Sequence, residues 1–311
     1  MALYAFDGTW GREHDQAEYG KNTNVLKFAR AYVGAKSVIQ KDGDKVKIVE
    51  DDDAMHIEGV GARHGRLGRF FGGVFGFGAS QRIKEATARV EKKFAEGDRE
   101  IDVVGFSRGG ALALDFVNHL ASKGIRDPQT GQRIHPEVRF LGLWDVVAAF
   151  GLAFNIGPLK FQEINLGHKL TLTKNVKHCF HALALDERRQ SFRATRVKGG
   201  YEVWFRGVHS DVGGGNENPA LSDIALRWMM RKAAAVGVKL DETRLTKPLD
   251  PRPDADIRPA RDPAKNAFRV IPASDWVHYT LTIRSHPDCQ NAPATCSVET
   301  EDHERQRIAL G

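Results

Sequence analysis

The segment Val103-Val104-Gly105-Phe106-Ser107-Arg108-Gly109-Gly110 constrains the fold more than any other. An apolar run at 101–105 leads into Gly-x-Ser-x-Gly, and a helical pattern at 110–122 follows it. In that context the serine sits on a strained strand-to-helix turn with its hydroxyl exposed, the nucleophile elbow. Gly105 and Gly109 let the turn pass close to its neighbours. The backbone N–H of Arg108 then points at a developing oxyanion, with the helix N-terminus adding to the field.

The remaining elements fit such a turn. Apolar runs at 3–6, 45–50, 138–143, 176–185 and 201–205 read as strands. Helical spacing covers 24–33, 81–95 and 221–235, the last closed by Gly237. Strands alternating with helices predict an α/β fold, α/β-hydrolase-like, with a mostly parallel central sheet flanked by helices on both faces. A single domain is expected over 1–285, with loop insertions near 60–80 and 241–267, and a polar C-terminal tail at 286–311. The first insertion holds seven glycines, four phenylalanines and three arginines without an acid, and the second holds five of the twelve prolines.

A nucleophilic serine needs a base and an acid that orients the base. In α/β-hydrolases they follow the serine as Asp or Glu, then His. Asp145 ends the strand after the elbow helix, and His209 lies just beyond a later strand. His209 would take the Ser107 proton, while Asp145 would hold the imidazole tautomer and stabilise the imidazolium. Asp186 is the rival acid, although its arginine neighbours suggest a local ion-pair corner. Asp211, two residues from His209, reads as an anchor for its loop. His181 and His278 lie in apolar surroundings and read as satisfied core histidines.

Asp7-Gly8-Thr9-Trp10 follows the first strand. A haloacid-dehalogenase phosphatase would carry its nucleophilic carboxylate where this chain has Ala5. In the hydrolase reading this loop lies beside the elbow, Gly8 or Thr9 supplies the second oxyanion N–H, and Asp7 braces the loop. Residues 20–23 lack the glycine spacing of a phosphate loop, and 72–78 lack the strand-then-helix order of a dinucleotide fingerprint. No metal-ligand spacing is found, so no metal or cofactor is expected.

Composition adds limits. An apolar content of 41% with 28% charged residues excludes a largely disordered chain. No basic stripe interleaved with aromatics is present, so no nucleic-acid partner is expected. Three cysteines, Cys179, Cys289 and Cys296, make no disulfide framework. Residues 1–7 have no basic region, long apolar core or cleavage site. The expectation is a cytoplasmic chain without a signal peptide, exported only by a signal-independent system.

Seven stretches taken together resemble a known family. They are Phe6-Asp7-Gly8-Thr9-Trp10, Asn22-Thr23-Asn24-Val25, Gly59-Val60-Gly61, Gly105-Phe106-Ser107-Arg108-Gly109, Trp144-Asp145-Val146-Val147, residues 182–189 and residues 205–215. In that order they resemble the α/β-hydrolase domain of type VI secretion phospholipase effectors, formerly catalogued as a domain of unknown function. The resemblance implies a Ser107, Asp145 and His209 triad and carboxylic-ester hydrolysis, with phospholipid among the substrates. It also implies a secretion or immunity partner and peripheral membrane contact. Phe70, Phe71, Phe75 and Phe77 are then candidates for an acyl channel or lid, and Arg63, Arg66 and Arg69 for head-group contacts. A small cytoplasmic esterase of non-lipid substrates and a non-catalytic binding or regulatory module remain the alternatives.

Overall fold

Strands β1 (Ala2–Phe6) and β4 (Ile101–Phe106) are buried at every residue. A strand with both faces covered belongs in the middle of a helix-sandwiched parallel sheet. The computed structural model describes residues 1–8, 21–42, 45–51, 75–147, 171–189, 192–257, 268–284, 291, 295–300 and 305–309. Among them are β2 (Ala35–Asp42), β3 (Lys45–Asp51), β7 (Val138–Trp144), β8 (Val176–Ala184) and β9 (Tyr201–Phe205). Toward one edge lie β10 (Trp276–His278), β11 (Thr295–Glu299) and β12 (Arg305–Ala309), while β5 (Ile125–Arg126) and β6 (Arg133–Ile134) make a separate small ladder. The main sheet runs β12-β11-β10-β9-β8-β7-β4-β1-β2-β3. All its pairings are parallel except β2 with β3 and β11 with β12.

Helices α1 (Asn24–Ala31) and α5 (Ala220–Ala235) pack with Leu3, Ala5, Val104 and Phe106 on one face. Helices α2 (Phe75–Ala95) and α3 (Arg108–Lys123) pack with Tyr4, Phe6, Ile101 and Val103 on the other. Alternate residues of the same two strands therefore feed two cores. The Thr23 side chain caps α1 by accepting from Leu26 N–H. Lys27 of α1 and Asp223 of α5, both almost fully buried, pair at 2.8 Å and tie the two helices.

Chain order reverses between β1 and β4. From β1 the chain steps through α1 to β2, whereas from β4 it steps through α3 to β7 on the opposite side. Right-handed crossovers in opposite directions place α1 and α3 on opposite faces and open a crevice at the carboxyl ends of β1 and β4. Asp7 and Gly8 leave β1 there, and Ser107 leaves β4 there.

Each strand and helix expected from sequence is present, with ends shifted by a few residues; α2 extends back to Phe75, so residues 75–80 are helical. Two features departed from expectation. β2 pairs with β1 although its residues carry little apolar signal. The C-terminal residues, read from composition as a polar tail, supply β11 and β12 at the sheet edge, with Val298 and Glu299 buried. Glu299 accepts from Trp228 Nε1 and pairs with Lys232, which anchors this edge to α5. Among the described residues no helix is long and apolar enough to cross a membrane.

Candidate active site

Ser107 adopts φ 57° and ψ −126°, a left-handed backbone that few non-glycine residues take. The surroundings hold it. Its N–H donates to Trp144 O at 3.0 Å, and its carbonyl accepts from Gly110 and Val147 N–H. The flanking glycines are explained by distance. A Cβ on Gly109 would lie 2.2 Å from Phe6 O, and one on Gly105 would lie 2.7 Å from Gly110 Cα. The N-terminus of α3 thus sits directly against the end of β1. Arg108 opens α3, so its backbone N–H belongs to the positive end of the helix dipole.

Asp145 follows β7, is fully buried and also has a positive φ, 34°. Its Oδ2 lies 2.6 Å from His209 Nδ1, the first residue of α4 (His209–Gly213). An ionised carboxylate only accepts, so Nδ1 carries the proton and Nε2 keeps a lone pair. Asp145 Oδ1 accepts the Ala184 N–H at 3.0 Å. Arg269 supplies the remaining donors, with Nη1 on Oδ1 at 2.6 Å and Nη2 on Oδ2 at 3.0 Å. The same guanidinium donates to the carbonyls of Ala184 and Phe192. Burial alone would raise the Asp145 pKa; the Arg269 charge and the His209 contact outweigh it and hold the carboxyl below the carboxylate range. Burial lowers the His209 pKa, Asp145 offsets part of that, and Arg269 adds to the lowering. The imidazole is therefore kept neutral, the form a general base requires.

The imidazole is held between rings. Phe106, one residue before Ser107, lies 4.6 Å from it, and Phe192 meets it edge-on at 4.8 Å. Glu187, fully buried, accepts the His209 backbone N–H at 3.1 Å and also binds Arg189, whose guanidinium lies 3.5 Å from the Phe192 ring centre. Asp186, the rival acid, instead takes Arg206 Nη1 and Gly207 N–H, both at 2.8 Å. Asp211 accepts the Val208 N–H at 3.0 Å and the Asn216 side-chain amide, which anchors the turn into α4.

Asp7 accepts from Thr23 Oγ1 at 2.8 Å and from Gly8 N–H at 2.7 Å, bracing its loop against α1. A Cβ on Gly8 would lie 3.7 Å from Ser107 Cβ, so this loop borders Ser107. Thr9, Arg63, Arg66, Arg69, Phe70 and Phe71 lie outside the described residues; Phe75 and Phe77 belong to α2. His181 is buried with both ring nitrogens engaged, by Val146 N–H and Glu202, and Cys179 is a buried free thiol. Sequence reasoning missed Arg269 and Glu187. Arg269 lies 124 residues from Asp145 beside the proline-rich segment, and no local pattern marks it. Glu187 had a weak signal, an acid directly after a strand.

Comparison with known proteins matches residues 3–137 and 118–232 to the family described as T6SS, phospholipase effector Tle1-like, catalytic domain. The uncharacterized protein YEL023C of Saccharomyces cerevisiae is 36% identical over 74 residues, which is 22% of this chain and 11% of the yeast protein. The Tle1 effector solved bound to the VgrG spike of the Type 6 secretion system is 22% identical with a TM-score of 0.45, over 68% of this chain and 50% of that one. An uncharacterized protein from Pseudomonas aeruginosa is 19% identical with a TM-score of 0.44, over 77% and 46% of the two chains. The chain spans half or less of the length of each of these proteins.

Proposed function

Because the chain belongs to the T6SS Tle1-like phospholipase effector catalytic domain family, we propose that it is a serine hydrolase cleaving acyl esters of lipids, phospholipids included. Ser107 Oγ attacks the ester carbonyl while His209 Nε2 takes its proton. Asp145 holds the imidazole tautomer and stabilises the imidazolium. The negative charge on the carbonyl oxygen is met by the Arg108 N–H at the start of α3. A second donor comes from the loop after β1, from Thr9 or, with the Asp7 side chain turned away, from Gly8. Collapse expels the alcohol, which takes the proton from His209 and leaves an acyl-serine. Water, deprotonated by His209, then releases the fatty acid and restores Ser107.

The observation that carries this reading is the 2.6 Å contact between His209 Nδ1 and Asp145 Oδ2 at the edge where Ser107 turns with φ 57°. A buried pair of that kind beside an elbow serves proton transfer. The test is labelling by a fluorophosphonate, which reacts only with an activated serine, alongside phospholipid hydrolysis. Wild type should be labelled on Ser107 and release fatty acid, and Ser107→Ala should do neither while melting at the same temperature. An unlabelled wild type would favour a non-catalytic module, and labelling with turnover of short esters alone would favour a non-lipid esterase. From the family we also extend to this chain delivery by the type VI machinery, with a secretion or immunity protein as partner and peripheral contact with a bilayer.

A further inference from the structure

A second carboxylate reaches the catalytic histidine and has no part in the reaction described above. Glu187 lies just beyond the end of β8 and is fully buried. Its Oε1 accepts the Arg188 N–H at 3.0 Å and the Arg189 N–H at 2.8 Å. The Arg189 guanidinium closes a fork on it, with Nε on Oε1 at 2.9 Å and Nη2 on Oε2 at 2.8 Å. Oε2 also accepts the His209 backbone N–H at 3.1 Å.

The same ion pair meets His209 by a second route. Phe192 N–H donates to Arg189 O at 3.0 Å, a turn that folds the two side chains together. The Arg189 guanidinium lies 3.5 Å from the Phe192 ring centre, and Phe192 meets the imidazole edge-on at 4.8 Å. The backbone of His209 and its ring are thus each held by a contact that leads back to Glu187. A neutral acceptor would satisfy the backbone N–H as well, and a carboxylate is far costlier to bury even when paired. The negative charge therefore calls for a reason of its own. The charged groups around His209 are Asp145 after β7, Glu187 and Arg189 after β8, Arg269, and Asp211 on its own helix. Burial and Arg269 lower the His209 pKa, while Asp145 and Glu187 raise it. Glu187 thus opposes the field of Arg269 at the base.

We propose that Glu187 is a positioning residue for the general base, fixing the His209 backbone directly and the imidazole plane through Arg189 and Phe192. A ring held at both points keeps Nε2 in line for the Ser107 proton, and misplacement of a catalytic group by about 1 Å costs about 100-fold in rate. This inference rests on the esterase reading of Ser107 and extends its machinery to the segment after β8.

The experiment records pH profiles of kcat and kcat/KM for the full chain on a soluble p-nitrophenyl ester, well below each variant's melting temperature. Glu187→Gln should lower the plateau kcat about 10- to 100-fold with KM within about twofold of wild type. Its acid limb should move to lower pH, because an anion that favours the imidazolium is gone. Arg189→Met keeps the His209 N–H bond and leaves the Glu187 charge uncompensated, so its limb should move to higher pH. Glu187→Asp keeps the charge and should return the limb toward wild type. A carboxylate that only caps the His209 N–H would lower the melting temperature and leave the limb in place, which overturns the proposal. So does a plateau kcat in Glu187→Gln within about threefold of wild type. If Glu187→Gln does not fold, the direction of the Arg189→Met shift decides, and an unmoved or lowered limb overturns the proposal. If wild type hydrolyses no ester, the Ser107 reading fails, and proton NMR decides the role of Glu187. The downfield His209 Nδ1–H signal, assigned by its loss in His209→Gln, should then shift or broaden in both Glu187→Gln and Arg189→Met, and an unaltered signal overturns the proposal.

Discussion

Replacing Arg269 by Met removes the donors that close the outer side of Asp145. The carboxylate then keeps two bonds, from Ala184 N–H and His209 Nδ1, and loses two from the guanidinium. The effect on the base can be sized. Arg269 Nη2 and His209 Nδ1 share one oxygen, at 3.0 and 2.6 Å. Two charges less than about 6 Å apart in a medium of effective dielectric ~20 interact by about 3 kcal/mol. Relaxation and entering water reduce this, so a shift of one to two pH units is expected at about 1.4 kcal/mol per unit. The sign is upward. Arg269 lowers the His209 pKa directly and also occupies the carboxylate that raises it. The acid limb of kcat/KM, which reports protonation of the free base, should move to higher pH by about one to two units. Breaking a buried pair also destabilises by about 3–5 kcal/mol, or roughly 5–8 °C in Tm for a chain of this length. Arg269→Lys should restore part of both effects. A pH–rate profile on a soluble ester, recorded well below the variant's melting temperature, decides it. An acid limb that stays in place or moves down would refute the electrostatic coupling, whatever the loss of stability.

Three further outcomes follow from the same geometry. Asp145→Asn should lower kcat by about 10⁴, whereas Asp186→Asn, whose native partners are Arg206 and Gly207, should cost stability and leave kcat within a few-fold; equal losses in kcat would reinstate Asp186 as the acid. Gly109→Ala should destabilise by about 3 kcal/mol, because its Cβ would meet Phe6 O at 2.2 Å, and a wild-type denaturation midpoint would contradict that packing. Stability should fall as pH drops below about 6.5, because unfolded His209 binds a proton that the folded residue resists. A second loss should follow below about pH 4, when unfolded Asp145 is protonated and the folded carboxyl still resists. The first slope should flatten in His209→Gln, as read from melting temperatures across pH.

Much of the fold was legible because its signals are local. β1 and β4 are buried on both faces, so their residues are apolar without alternation. The elbow must be glycine-flanked because β1 and the start of α3 touch it within a few residues. Those requirements leave marks at fixed spacings. Ser107, Asp145 and His209 could be chosen from chain order because each leaves a strand at the same edge of the sheet. β2, β10, β11 and β12 left weaker marks. They lie toward the sheet edges, and short or polar strands are stabilised there by pairing with a formed neighbour rather than by their own composition.

The sequence alone determined the class of fold and the turn on which Ser107 sits. Tertiary structure decided which carboxylate faces His209, since Asp145 and Asp186 both end strands and only contact separates them. It also brought in Arg269 and Glu187, which reach Asp145 and His209 from other elements. The physical reason is range. Backbone strain and strand burial act over a few residues and are written locally, while the field at a buried imidazole is the sum of charges that only folding brings within a few ångströms.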